Sequence, residues 1–163
     1  MTKPMRRTAA IVAAAAMSVV LSACTQGHWV YDAPPAAGVQ ADDGGVKLRG
    51  FVVIADPTGE AMLVGAVATR DEPIEVTGFQ VTPQLEDQTF GEPQVLEFNE
   101  SVKKGRTIYV DGDDTQFTNP DLHAGLLARV DVAFGNGSNM SLEVPVMSSE
   151  HDDFAQWWND HRG

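Results

Sequence analysis

The chain has 163 residues, a length that can bury one sizeable hydrophobic core, and its 11 Lys and Arg against 23 Asp and Glu give a net charge of −12. Such an acidic balance makes nucleic acid and anionic lipid headgroups poor partners for the surface as a whole. Cys24 is the single cysteine, which excludes an intrachain disulfide, so the core and the backbone hydrogen bonds have to hold the fold together.

The first 23 residues have the layout of an export signal. Lys3, Arg6 and Arg7 form a basic start, and the apolar run AAIVAAAAMSVVL that follows is shorter than the ~20 residues of a membrane-spanning helix. The run ends in LSAC, residues 21–24, which matches the lipobox of bacterial lipoprotein signals. We therefore expect cleavage before Cys24 and a lipid on its sulfur and amine, palmitate for instance, which anchors the chain to the outer face of the cell membrane. An ordinary secretory signal with a stray cysteine is the alternative.

The segment between this anchor and the first apolar run is predicted to be a flexible tether. Residues 24–45 contain two prolines and four glycines and show no apolar periodicity. Trp29 and Tyr31 in this segment suit the headgroup layer and suit packing on the domain equally well. Loss of the signal removes three basic residues, which leaves 8 basic against 23 acidic residues and a net charge of about −15.

Residues 46–147 are predicted to form one antiparallel β-sandwich. Short runs rich in Val, Ile, Leu, Phe and Thr alternate there with turn residues. The predicted strands are 46–55, 61–69, 74–82, 93–99, 106–110, 126–134 and 140–146. Gly50 and Gly78 interrupt their strands and are predicted bulges, and Asn136-Gly137 is a predicted hairpin turn. Pro145 cannot donate a hydrogen bond, so its strand is expected at a sheet edge or with that position facing outward.

Three phrases in this region carry a resemblance to a known family. They are ATRDEPIEVTGFQVTP, KKGRTIYVDG and RVDVAFGNGSNMSLEVPV. Together with the strand order, they resemble the periplasmic copper chaperones of the PCuAC type, and more closely the actinobacterial-type envelope lipoproteins, LpqE-like, that share this domain. The resemblance implies an all-β, cupredoxin-like or immunoglobulin-like sandwich. It also implies work near the copper centres of respiratory oxidases.

The copper ligands of that family are two His and two Met, including a His-x-Met pair on the loop before the last two strands. Here that loop reads DGDDTQFTNPDLHAG, and Gly125 stands where the methionine after His123 would be. Met62 and Met140 fall on apolar strand positions and are expected in the core. We therefore expect a degenerate domain without a metal site. A copper carrier for cytochrome oxidase that uses non-standard ligands is the alternative.

Other motifs give no catalytic or metal site. Asp111, Asp113 and Asp114 are arranged like the start of a calcium loop, but the glycine and the closing glutamate are missing. A hydrolytic triad would have to use one of the four histidines, of which His123 alone lies in the domain, in a loop. We therefore predict that the protein is not an enzyme and carries no cofactor beyond the lipid on Cys24.

Residues 148–163, SSEHDDFAQWWNDHRG, are predicted to be an amphipathic tail with a helix over residues 149–162. Ser148 or Ser149 is the expected N-cap, with acidic residues in the first turn and His161 and Arg162 in the last. Phe154, Trp157 and Trp158 form one aromatic stripe, which is predicted either to bind a partner or to close the sandwich. The leading function is a non-catalytic, lipid-anchored accessory protein, with a membrane complex such as a respiratory oxidase as its partner.

Overall fold

The computed structural model describes residues 38–162, so the predicted signal, Cys24 and most of the predicted tether lie outside the described residues. The described chain forms nine strands and one helix. In chain order they are β1 (Val39–Asp43), β2 (Val46–Ala55), β3 (Glu60–Thr69), β4 (Ile74–Pro83), β5 (Gln94–Val102), β6 (Arg106–Val110), β7 (Gln116–Thr118), β8 (Leu127–Phe134), β9 (Asn139–Ser148) and α1 (Asp152–His161). The predicted fold class, an all-β sandwich with a short C-terminal helix, is confirmed.

One continuous sheet folds over to make the two layers of the sandwich. The strand order is β5-β4-β8-β9-β2-β3-β6, with β1 paired to β2 and β7 paired to β3. The strand β9 joins the layers because residues 139–145 pair with β8, whereas residues 146–148 pair with β2. The β2–β9 pairing is parallel, and every other strand pairing is antiparallel.

Two short strands lie where the sequence predicted tether and loop. Residues 39–43 form β1, which pairs with β2 from Val39 opposite Phe51 to Asp43 opposite Val46. The prediction that the tether reaches residue 45 is therefore wrong for these residues, which add to the domain because Val39 and Ala41 pack against the core. Similarly, residues 116–118 form β7, with Phe117 packed against the core. Both strands are too short to show a clear alternation.

The predicted bulges are confirmed, whereas the predicted edge position of the Pro145 strand is wrong, because β9 lies between β8 and β2 in the sheet. The register shifts between Arg49 and Val52 around Gly50, and between Val76 and Gly78. Pro145 lies opposite Leu127, and the hydrogen bonds toward this side are made by the next residue, since the N–H of Val146 donates to the carbonyl of Leu126 and its carbonyl accepts from the N–H of Gly125. The missing N–H of Pro145 therefore breaks no ladder. The β8–β9 turn differs in one respect, because Gly137 alone supplies a positive φ, of 83°, while the Asn136 side chain accepts hydrogen bonds from Ser138.

The main core lies between the layers, and a second apolar group lies outside one of them. Side chains of β2 alternate, so Leu48, Phe51 and Val53 face the main core, whereas Val52 and Ile54 face outward. Outward-facing apolar side chains on two adjacent strands need a cover. That cover is α1. Among the residues that the structure describes, no helix has the length and apolar character needed to cross a bilayer.

Candidate functional site

The helix α1 begins later than the sequence predicted. His151, and neither Ser148 nor Ser149, is the N-cap, and its Nδ1 accepts a hydrogen bond of 3.3 Å from the N–H of Asp153. Ser149 lies before the helix, where its N–H donates to the carbonyl of Ala55 at 2.9 Å and continues the sheet. The predicted charges at the helix ends are confirmed, since two aspartates lie in the first turn and His161 lies in the last.

The aromatic stripe of α1 packs on the outer surface of the β2–β3 layer. We call this group the outer cluster. Its buried members are Val52, Ile54, Met62 and Trp158, and its half-buried members are Val64, Met147, Phe154 and Trp157. Trp158 is only 4% exposed, so it seals the cluster. Of the two alternatives for the stripe, the structure supports packing on the domain for Trp158, and a partner has access only to parts of Phe154 and Trp157.

Polar contacts hold the end of α1 against the sheet. Arg162 forms an ion pair of 2.7 Å with Glu60 at the start of β3, and the side-chain amide of Gln116 donates to the carbonyl of His161 at 2.8 Å. The imidazole of His161 stacks on Trp157 with ring centroids 4.3 Å apart. Exposed ion pairs contribute little, so we attribute the attachment of α1 mainly to its apolar burial.

Trp157 lies over Gly112, and this contact depends on the lack of a side chain there. Gly112 has φ of +100°, and a Cβ atom at this position would come within 2.7 Å of Cη2 of Trp157 and 3.2 Å of Sδ of Met62. The DGDDTQ segment therefore has a structural role that the sequence did not reveal, because it lets the indole approach the backbone. The segment's acidic side chains, Asp111, Asp113 and Asp114, are exposed to solvent.

The candidate metal ligands do not come together. His123 is exposed in the loop before β8, Met62 is buried in the outer cluster, and Met140 packs partly buried against the main core, as the sequence predicted for both methionines. Within residues 38–162, no three His, Cys, Asp or Glu side chains lie in an arrangement that could hold a metal ion.

A cleft of about 480 Å³ opens at one end of the sandwich. Its lining includes Asp71, Glu72 and Glu75 from the start of β4 and the loop before it. The hydrogen bond from Arg70 holds the pKa of Asp71 below its usual value, and the charges of Arg70 and Lys104 add to this effect. A carboxylate with a lowered pKa is a weak base, so Asp71 is poorly suited to general base catalysis.

The other carboxylates whose pKa is lowered stabilise turns. At Asp56, partial burial raises the pKa, but hydrogen bonds from the hydroxyl and N–H of Thr58 and from the N–H of Glu60 outweigh it and lower the pKa. At Asp87, hydrogen bonds from Thr89 likewise lower the pKa. These carboxylates fix tight turns in the way that Asp side chains commonly do.

No protein-family model matches this chain, and no curated protein matches it. Solved structures give weak similarities. The copper-bound PCuAC domain from PmoF2 is 18% identical with a TM-score of 0.38, and the alignment covers 68% of this chain and 98% of that one. The apo PCuAC domain from PmoF1 is 12% identical with a TM-score of 0.41, and the alignment covers 68% and 99%. Spo0M, a sporulation control protein from Bacillus subtilis, is 11% identical with a TM-score of 0.40, covering 69% and 53%. At these scores, the similarities assign neither a family nor a function.

Proposed function

We propose that the protein is a lipid-anchored accessory protein of the outer face of the cell membrane, whose β-sandwich binds another membrane protein without catalysing a reaction. The observation that carries this proposal is the sequence LSAC at residues 21–24, directly after a basic start and a short apolar run. Two or three acyl chains on Cys24 hold a protein at a bilayer essentially permanently.

The exposed side of α1 is the surface that we propose for the partner. Phe154 and Trp157 are half-buried, and the helix residues that face solvent beside them include Asp153, Gln156 and Asp160. An aromatic edge with an acidic rim fits a partner surface that combines an apolar groove with basic residues. Trp158 then acts as a positioning residue, because it fixes the helix to the sheet.

The proposed partner is a respiratory oxidase complex or its assembly apparatus. This part rests on the resemblance of the phrases ATRDEPIEVTGFQVTP and RVDVAFGNGSNMSLEVPV to envelope lipoproteins with a PCuAC-type domain. Fold analogy does not transfer a function by itself, so the partner has to be identified directly.

Affinity purification from detergent-solubilised membranes, after cross-linking in cells, tests this role. We expect a membrane complex to copurify with the parent protein. The double variant Gln156→Lys and Asp160→Lys, which reverses the charge of the helix rim, should recover at least tenfold less of the partner. Glu97→Lys and Glu143→Gln form the matched control, since this pair also adds three positive charges and both residues are exposed on the other layer of the sandwich. Equal recovery of the partner by all three forms contradicts a partner surface on α1.

A copper carrier is the second candidate, and one observation favours it. Two thioethers, of Met62 and Met147, and the imidazole of His161 belong to or border the outer cluster, and such ligands suit Cu(I). The sheet register places Ile54 between the two methionines, which is unfavourable for joint coordination. Titration of the mature chain with Cu(I) and a competing chelator distinguishes the candidates. A carrier requires a stoichiometric tight site that Met147→Leu removes, whereas an accessory protein binds Cu(I) only weakly.

A further inference from the structure

The positive charges of this acidic protein are concentrated at one end of the sandwich. Residues 38–162 contain eight Lys and Arg, and six of them lie where β2 and β6 begin and where β3 and β5 end. We call this region the basic end. Its members are Lys47, Arg49, Arg70, Lys103, Lys104 and Arg106. They come together because the sheet register places residue 47 opposite 68 and residue 106 opposite 69.

Part of this charge is neutralised locally, and part of it is not. Arg49 forms an ion pair with Asp42, and Arg70 forms one of 3.0 Å with Asp71. Lys47, Lys103, Lys104 and Arg106 take part in none of the ion pairs found within the described chain. Six acidic residues lie at the same end, and three of them line the cleft described above: they are Asp42, Asp43, Asp71, Glu72, Glu75 and Glu100. The six basic residues lie on or beside β2, β3 and β6, whereas Glu75 and Glu100 lie on β4 and β5, so the surplus of positive charge is confined to the β2–β3–β6 side of this end.

The acidic residues of the domain are concentrated at the opposite end. That end holds the DGDDTQ segment and α1, with exposed aspartates at positions 111, 113, 114, 152, 153 and 160. The two ends are separated by the length of β2, whose ten residues span roughly 33 Å. Because the Debye length is only about 8 Å at physiological ionic strength, a charged surface at the basic end barely senses the acidic end. The whole-chain charge, which argues against anionic headgroups, therefore does not describe this end.

The outer surface of the β2–β3–β6 layer next to the basic end is uncovered and has an exposed aromatic side chain. Here α1 no longer covers the sheet, and the rows Lys47–Ala68–Thr107 and Arg49–Ala66–Tyr109 follow from the register. Tyr109 is 75% exposed above this floor of alanines. Lys and Arg beside an exposed tyrosine are the composition of surfaces that lie at a membrane interface.

We propose that the basic end docks on an anionic phospholipid surface, so that α1 and the acidic end point away from the bilayer. This inference deepens the proposed lipid anchoring and rests on it. The thirteen residues between Cys24 and Gly38 can span at most about 45 Å, and the described chain starts at mid-height of β2, where Val39 lies opposite Phe51. The tether therefore permits either end to face the bilayer, and the charge distribution selects the basic end.

Lysine footprinting reports on this docking directly, because Lys47, Lys103 and Lys104 are the only lysines after Cys24. The mature chain, residues 24–163, is coupled through Cys24, its sole cysteine, to a maleimide lipid in phosphatidylcholine vesicles with or without phosphatidylglycerol. We expect acetylation of the three lysines to slow severalfold in the anionic vesicles and to recover at high salt. Carbodiimide labelling of Asp113 and Asp152 should stay unchanged. Equal lysine reactivity in both vesicles, or protection of the aspartates instead, overturns the proposal.

Two matched variants separate the location of the charge from its amount. Lys103→Gln with Lys104→Gln lowers the net charge by two, and so does Ala124→Glu with Gln156→Glu, at exposed positions far from the basic end. Each basic residue near an anionic surface raises the docked-to-undocked ratio about fivefold. The first pair of substitutions should therefore lower this ratio on the order of 25-fold, and the acetylation rate of Lys47 reports the change. The second pair should leave Lys47 protected. Loss of protection in both pairs, or in neither, contradicts docking through the basic end.

The chemical coupling makes this result independent of the proposed function. Vesicle docking is measured whether or not cells attach a lipid to Cys24, and lipidation in cells is measured separately by mass spectrometry. If the basic end instead recognises an acidic protein, the vesicles give no protection and the proposal fails. Tyr109→Ser, which leaves the charge unchanged, should weaken docking a fewfold if the ring enters the headgroup layer.

Discussion

Replacement of Trp158 by alanine tests whether α1 belongs to the folded domain. Trp158 is 4% exposed and packs on Val52, Ile54 and Met62 across the outer surface of the sheet. Truncation of a buried aromatic side chain to alanine typically lowers the free energy of unfolding by about 3–5 kcal/mol, and we expect a loss of this size here. With an unfolding entropy of about 2.1 cal/mol/K per residue over a domain of roughly 125 residues, each kcal/mol lowers Tm by about 4 °C.

We therefore expect Trp158→Ala to lower the Tm of the mature chain by about 12–20 °C, measured by circular dichroism. Gln156→Ala is the matched control, because Gln156 is exposed on the same helix and its loss should change stability by no more than about 0.5 kcal/mol. If the two variants melt within about 2 °C of each other, α1 does not contribute to the domain, and the outer cluster does not stabilise the fold.

Three further variants examine single contacts. Gly112→Ala should cost about 1–3 kcal/mol, from a positive φ and a clash with Trp157, whereas Gly137→Ala, with a positive φ and open space, should cost less in the same denaturant titration. Asp56→Ala should lower the free energy of unfolding at neutral pH. Because folding lowers the pKa of Asp56, the difference in stability from the parent should shrink as the pH falls through that lowered pKa. A difference that grows on acidification contradicts this role. Arg162→Ala should change unfolding free energy by less than about 1 kcal/mol, since its ion pair with Glu60 is exposed, and a larger loss would show that the pair anchors α1.

Most of the sandwich could be predicted from alternation, and the reason is local. Along β8, Val130, Val132 and Phe134 face the core while the residues between them face outward, which gives a clear period of two. The strand β1 escaped prediction because only Val39 and Ala41 contact the core, and two alternating residues beside glycines look like linker.

The packing of α1 on the sheet was less predictable, although a signal exists in the sequence. Residues 51–55 and 61–64, FVVIA and AMLV, are apolar at every position, so both sides of β2 and β3 have to be covered. Neither run identifies the element that covers it. For β2 this element is α1, about a hundred residues later in the chain, and the parallel β2–β9 pairing fixes where it lies. The start of the helix likewise depends on tertiary structure, because the sheet hydrogen bonds continue as far as the N–H of Ser149, which donates to the carbonyl of Ala55.

The basic end could not be predicted, since its members are distant in sequence. Lys47 and Arg106 approach each other only because both of their strands pair with β3. Net charge is a property of the whole chain, whereas interaction with a surface depends on the charges within about a Debye length of it.

Mass spectrometry of the intact protein extracted from membranes tests the proposed anchoring most directly. We predict a mature chain that begins at Cys24, with a diacylglyceryl group on its sulfur, and no such species when Cys24 is replaced by alanine. The matched control is Ser22→Ala, which keeps the small residue before the cleavage site and should leave the modification intact. A membrane-extracted chain that begins at another residue, or that begins at an unmodified Cys24, would contradict lipid anchoring and with it the proposed role at the outer face of the membrane.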